Sequence, residues 1–119
     1  GREAMRSLLA LPELPTAVFA SNDVMAIGAL RAIKKEGLTV PDDIAIVGFD
    51  DIPMAQHLEP ALTTVHQPIY LVGRRAAETL LAQIHESRSE EITAATHLLL
   101  RTRLVIRESC GARRAEVNS

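Results

Sequence analysis

Residues 40–51 read Val-Pro-Asp-Asp-Ile-Ala-Ile-Val-Gly-Phe-Asp-Asp, and they decide the fold. Pro41, Asp42 and Asp43 make a turn. The apolar run 44–49 that follows has no polar alternation, so it reads as a strand covered on both faces, the kind that builds parallel sheets. The run stops at two adjacent carboxylates, Asp50 and Asp51. Pro53 comes next, with a short helical stretch reaching Leu58.

The stretch just upstream repeats this pattern. Residues 16–20, Thr-Ala-Val-Phe-Ala, form a second buried-type strand. Ser21, Asn22 and Asp23 then offer three residues that favour helix N-caps. Residues 24–36 are helical in pattern and end at Gly37, a C-cap residue. Further back, Met5, Leu8 and Leu9 sit at helical spacing, followed by a loop marked by Pro12 and Pro15. Polar residues thus gather at the carboxyl ends of successive strands joined by helices. That is the doubly wound α/β arrangement, whose ligands bind at those ends.

The downstream half differs. Residues 62–66 are a short β-branched strand, and Gln67-Pro68 leads into a long helix. Gly73, Ala76, Ala77, Leu80, Leu81 and Ile84 make one apolar stripe on it, with Arg74 and Glu78 on the opposite face. Residues 86–96 read as a loop. Residues 98–107 read as a long strand, with Leu98, Leu100, Leu104 and Ile106 in one phase and Arg101, Arg103 and Arg107 in the other.

Composition excludes several classes. Thirteen basic residues against 15 acidic leave no basic footprint for nucleic acid. No apolar run approaches the roughly 20 residues that span a membrane. One cysteine, Cys110, excludes an internal disulfide and fits a reducing cytoplasm. His57, His66, His85 and His97 are scattered without ligand-type spacing, so no metal site is expected. Asp42-Asp43 and Asp50-Asp51 lie at opposite ends of one strand. No phosphate loop, dinucleotide fingerprint or nucleophile paired with a base is present, so neither a cofactor nor an enzyme is expected.

Three stretches, PTAVFASNDVMAIGALRAIKKEG at 15–37, VPDDIAIVGFDD at 40–51 and PALTTVHQP at 60–68, resemble the sensor domain of LacI/GalR transcriptional regulators. RLVIRES at 103–109 completes the pattern, and the likeness runs from about residue 15 to 109. It implies a periplasmic-binding-protein-like fold of two α/β lobes, with a small polar effector such as a sugar or purine between them. Only the C-terminal portion of that domain is expected here. Residues 1–66 would lie in the C-terminal lobe, and residues 67–101 would cross to the N-terminal lobe. Residues 102–109 would return, and 110–119 would be a disordered tail. Operator DNA would be bound through a helix-turn-helix headpiece outside this chain. A transport-type sugar-binding protein shares the fold, but the Leu-Thr-Thr-Val-His-Gln-Pro run favours a cytoplasmic regulator.

On the residues alone, Asp50 is either a ligand carboxylate at a strand end or a cap for the next helix. The resemblance favours the ligand role, with Asp51 as its structural partner. Asn22 is a ligand amide or a helix cap, and Gln67 a cleft residue or a solvated hinge. Phe49 is an apolar wall for the ligand or a buried strand aromatic. The helix at 24–36 is apolar nearly all round, with Arg31 alone charged in its first three turns. Ala26, Leu30 and Ile33 suit the sheet side, which leaves Ile27 and Arg31 on a second face. The resemblance makes that face, with Met54 and Leu58, part of a homodimer contact. Otherwise Ile27 is covered within its own lobe.

Overall fold

The computed structural model describes residues 1–86 and 97–112. By their contacts these form two compact units: residues 1–66 together with the segment from 103 onward, and residues 67–102.

The first unit is a four-stranded sheet with its strands in chain order, β1 (Ala17–Phe19), β2 (Ala45–Asp50), β3 (Thr63–His66) and β4 (Arg103–Val105). The first three strands run parallel, and β4 is antiparallel to β3. Helix α1 (Arg2–Leu9) packs on α2 (Asp23–Lys35), which packs on β2. Gly37, at φ 77, supplies the left-handed residue just past α2 that stops the helix. A short 3-10 turn, Pro53–His57, connects β2 to β3.

Strand alternation puts Ile44, Ile46, Gly48, Leu62 and Thr64 on one sheet face, where they are buried beside Ala26, Leu30 and Ile33 of α2. Met5 of α1 closes this core. The other face carries Ala17, Phe19, Ala45, Val47, Phe49 and Val65 and is only partly covered. Phe19 is 64% exposed. The expectation that 16–20 is a strand buried on both faces is therefore corrected. Among the described residues, the helices of this unit cover one side.

The long strand expected over 98–107 is also corrected, because only Arg103–Val105 is strand. Its ladder is Thr64 to Val105, Val65 to Leu104 and His66 to Arg103, with His66 the last residue of β3. Leu98 and Leu99, outside the strand, are exposed, and so is Leu104 within it. The residues around the expected start of the tail are hydrogen-bonded. Ser109 is buried, its hydroxyl donating to Ile46 O at 2.7 Å and accepting from Thr63 N at 2.8 Å. Cys110 takes a hydrogen bond from the Thr63 hydroxyl, and Gly111 N donates to Glu108 O. The rest of that tail, from 113, and the expected loop over 87–96 lie outside the described residues.

The second unit is built on α3 (Ile69–Glu86). Among the described residues its apolar stripe is left exposed, with Leu80, Leu81 and Ile84 each more than half exposed. Glu78 pairs with Arg74 at 3.4 Å and Arg75 at 3.0 Å.

Candidate functional site

The candidate site forms at the carboxyl ends of β1 and β2. Ala20 N donates to Val47 O, so the chain leaving β1 runs beside β2 as far as the sheet edge. There β2 ends in an unusual way. Asp50 has φ 113 and Asp51 has φ 59, both in the region that favours glycine. Side chains rarely hold such angles unless their surroundings impose them.

Two sets of contacts surround this turn. The Asp51 carboxylate accepts from Arg107 Nη2 at 2.6 Å and from His66 Nδ1 at 3.0 Å. Arg107 is fixed in turn by Nη1 donating to Leu62 O and by its backbone N donating to Thr63 Oγ1, both at 2.8 Å. Burial acts to raise the Asp51 pKa. The hydrogen bonds and charges of Arg107 and His66 outweigh it and hold the carboxyl below its ordinary value. In the second set, Ile52 N donates to Asp23 Oδ2 at 2.9 Å. Asp23 is fully buried, and its other oxygen accepts from Thr64 Oγ1 at 2.6 Å.

These bonds show where the sequence candidates lie. Asp50 pairs in register with His66 across β2 and β3, partly buried at the strand end. Neither Asp50 nor Asp51 is the N-cap of the following 3-10 turn, because Ile52 holds that position. Asn22 is the N-cap of α2, its Oδ1 accepting from Met25 N at 2.8 Å. The Asp23–Ile52 bond ties the loop carrying Asn22 to the loop carrying Asp50, so these two candidates share one end of the sheet. Phe49 is half-buried and, by strand alternation, faces away from Gly48 and α2. Gln67 is the half-buried first residue of the second unit.

Of the other surface candidates, Arg31 and Met54 are exposed and Ile27 is partly buried on α2. Leu58 packs on the core of its own unit.

Sequence reading missed Asp23, His66 and Arg107 as parts of the frame. Asp23 looked like one of three possible caps, His66 like a stray histidine and Arg107 like one strand arginine among three. Their shared role depends on contacts 15 to 56 residues apart in the chain, which no local pattern carries.

The family described as periplasmic binding protein-like domain matches residues 1–110. Over 109 residues the chain is 49% identical to the probable HTH-type transcriptional repressor ExuR of Bacillus subtilis, covering 92% of this chain and 32% of that protein. A solved complex of the transcriptional regulator CelR with cellobiose is 42% identical, with a TM-score of 0.79 over 90% of this chain and 32% of that one. The lac repressor dimer bound to operator and the anti-inducer ONPF is 34% identical, with a TM-score of 0.78 over 92% of this chain and 32% of that one. The chain thus spans about a third of the length of ExuR.

Proposed function

The chain belongs to the periplasmic binding protein-like domain family, and from that premise we propose that it is the C-terminal part of the effector-sensing domain of a LacI/GalR-type transcriptional repressor. The observation that carries this reading is the place of Asp50, a carboxylate on a constrained turn at the carboxyl end of a parallel strand. Ligands of open α/β sheets bind at that end. A carboxylate there accepts charge-assisted hydrogen bonds from two adjacent sugar hydroxyls or from ring N–H groups. In this reading Asn22 and Gln67 add polar contacts and Phe49 an apolar wall. Residues 1–66 and 102–109 belong to one lobe, and residues 67–101 to the other.

The protein acts by binding and has no catalytic step, cofactor or metal. It works in the cytoplasm as a homodimer, joined through the face of Ile27, Arg31, Met54 and Leu58. Operator DNA is contacted by a headpiece outside this chain. The repressor names of its relatives support a regulator over a transport-type binding protein. Effector binding regulates only if the ligand binds the operator-competent and operator-free states with different affinity.

The test is operator binding by the full-length protein, followed by fluorescence anisotropy on its own promoter DNA. Aldoses, disaccharides, purines and nucleosides are titrated in turn. One class is expected to change operator affinity by roughly 5- to 150-fold. A full-length protein that binds neither promoter DNA nor any of these ligands overturns the proposal.

A further inference from the structure

Asp23 does not cap α2, because Asn22 performs that task. Its carboxylate instead lies fully buried between three elements, over Gly48 of β2, against Thr64 of β3 and against the backbone of Ile52. We propose that Asp23 is a positioning residue: it touches no ligand, but it sets the left-handed turn at Asp50 and Asp51 and thereby aims the Asp50 carboxylate.

The peptide plane between Asp51 and Ile52 is the last part of that turn. Accepting the Ile52 N–H fixes the plane, and with it the Asp51 backbone. The Asp51 side chain is held separately by Arg107 and His66. Two non-glycine residues at positive φ persist only where neighbours over-determine them. Here the two restraints come from different elements and use different atoms. An aspartate suits the inner restraint because its two oxygens accept from donors on separate elements, Ile52 N and Thr64 Oγ1. The functional consequence rests on Asp50 as a ligand residue, whereas the conformational claim does not.

The test is made on the full-length protein with aspartate-selective isotope labelling. Carbon shifts and the intraresidue HN–Hα NOE of Asp50 and Asp51 report the sign of φ. Asp23→Ala is expected to abolish the positive-φ signature at both residues. Thr64→Val removes only the second hydrogen bond and is expected to keep the signature. Asp23→Asn retains an oxygen for Ile52 N, while its NH2 can donate to Thr64 Oγ1, so it too is expected to keep it. A folded Asp23→Ala protein with unchanged signals overturns the proposal. So does loss of the signature in either of the other two variants, even if Asp23→Ala does not fold. Separately, an unchanged effector response in Asp50→Ala would overturn the ligand reading while leaving the turn measurement intact.

Discussion

Gly48 lies directly under the carboxylate of Asp23. A Cβ on Gly48 would overlap Asp23 Oδ1 and stand 3.0 Å from Leu62 Cδ2. The carboxylate cannot yield freely, because both of its oxygens are engaged. Gly48→Ala should therefore destabilise the full-length protein by about 2–4 kcal/mol, from overpacking together with weakened buried hydrogen bonds. Urea denaturation at neutral pH would measure it. A midpoint within error of the parent would show that Asp23 has room to move.

Arg107 should be irreplaceable by lysine. Its guanidinium serves Leu62 O and Asp51 Oδ1 through two separate nitrogens, a fork that a single ammonium does not reproduce. The pair is mostly buried, at 15% and 13% side-chain exposure. Arg107→Ala should cost about 2–3 kcal/mol by leaving the Asp51 carboxylate without its main partner. Arg107→Lys should recover less than half of that loss in the same denaturation assay.

The Asp51 pair also fixes a pH dependence. Its folded-state pKa is lowered, because the bonds from Arg107 and His66 outweigh burial, the largest single influence. A lowered carboxyl pKa adds stability above the unfolded value of about 3.9, and that stability is lost as pH falls through the folded value. The stability gap between the parent and Asp51→Asn should be widest near neutral pH and close progressively below a pH of about 4. A gap that stays constant on acidification would show that the Asp51 charge adds nothing.

The parts of the fold legible in sequence were those with local signals. The apolar run 44–49 and the Asn22 cap each carry their structure within a few residues, and β2 and α2 lie within a residue or two of where those signals put them. Strand length at 98–107 was overread, because alternation describes what a segment could do and β3 offers only a short partner. Coverage of β1 was overread for a related reason. An apolar run predicts burial without saying whether the covering residues are present. Of the candidate site, local signals mark Asp50 and Asn22, which the fold brings to one end of the sheet. Its supports, Asp23, His66 and Arg107, are joined only by the folded chain.

Asp50 should carry effector affinity in the full-length protein. Asp50→Ala is expected to weaken binding by about 1.5–3 kcal/mol, the usual loss when hydrogen bonds to a charged group are removed. Calorimetry with the effector identified in the promoter assay would measure it. A folded variant with undiminished affinity removes Asp50 from the site.

Produced alone, the 119 residues should self-associate. Leu80, Leu81 and Ile84 present a bare stripe on α3, and Phe19 stands exposed on the sheet. Exposed apolar surface of this kind drives association. Size exclusion should give a concentration-dependent apparent mass. A monomer with slowly exchanging amides across residues 70–85 would mean that α3 finds its cover within the chain.

The exposed side of α2 should join two copies of the full-length protein. Ala26, Leu30 and Ile33 are buried toward the sheet, which leaves Ile27 partly exposed beside Arg31 on another face. An apolar face retaining one arginine suits the centre of a protein interface, where other charges are depleted. Met54 adds a side chain that is 56% exposed. A two-fold pairing would match a palindromic operator read by two headpieces. Leu58 is a poorer probe than Met54, because it packs on its own core and an acidic residue there would also cost stability. Ile27→Asp and Met54→Asp should therefore shift the protein toward monomer and weaken operator binding while leaving effector affinity unchanged. Sedimentation velocity at low micromolar concentration separates the outcomes. If both variants stay fully dimeric and hold operator as tightly as the parent, the contact between copies lies on a different face.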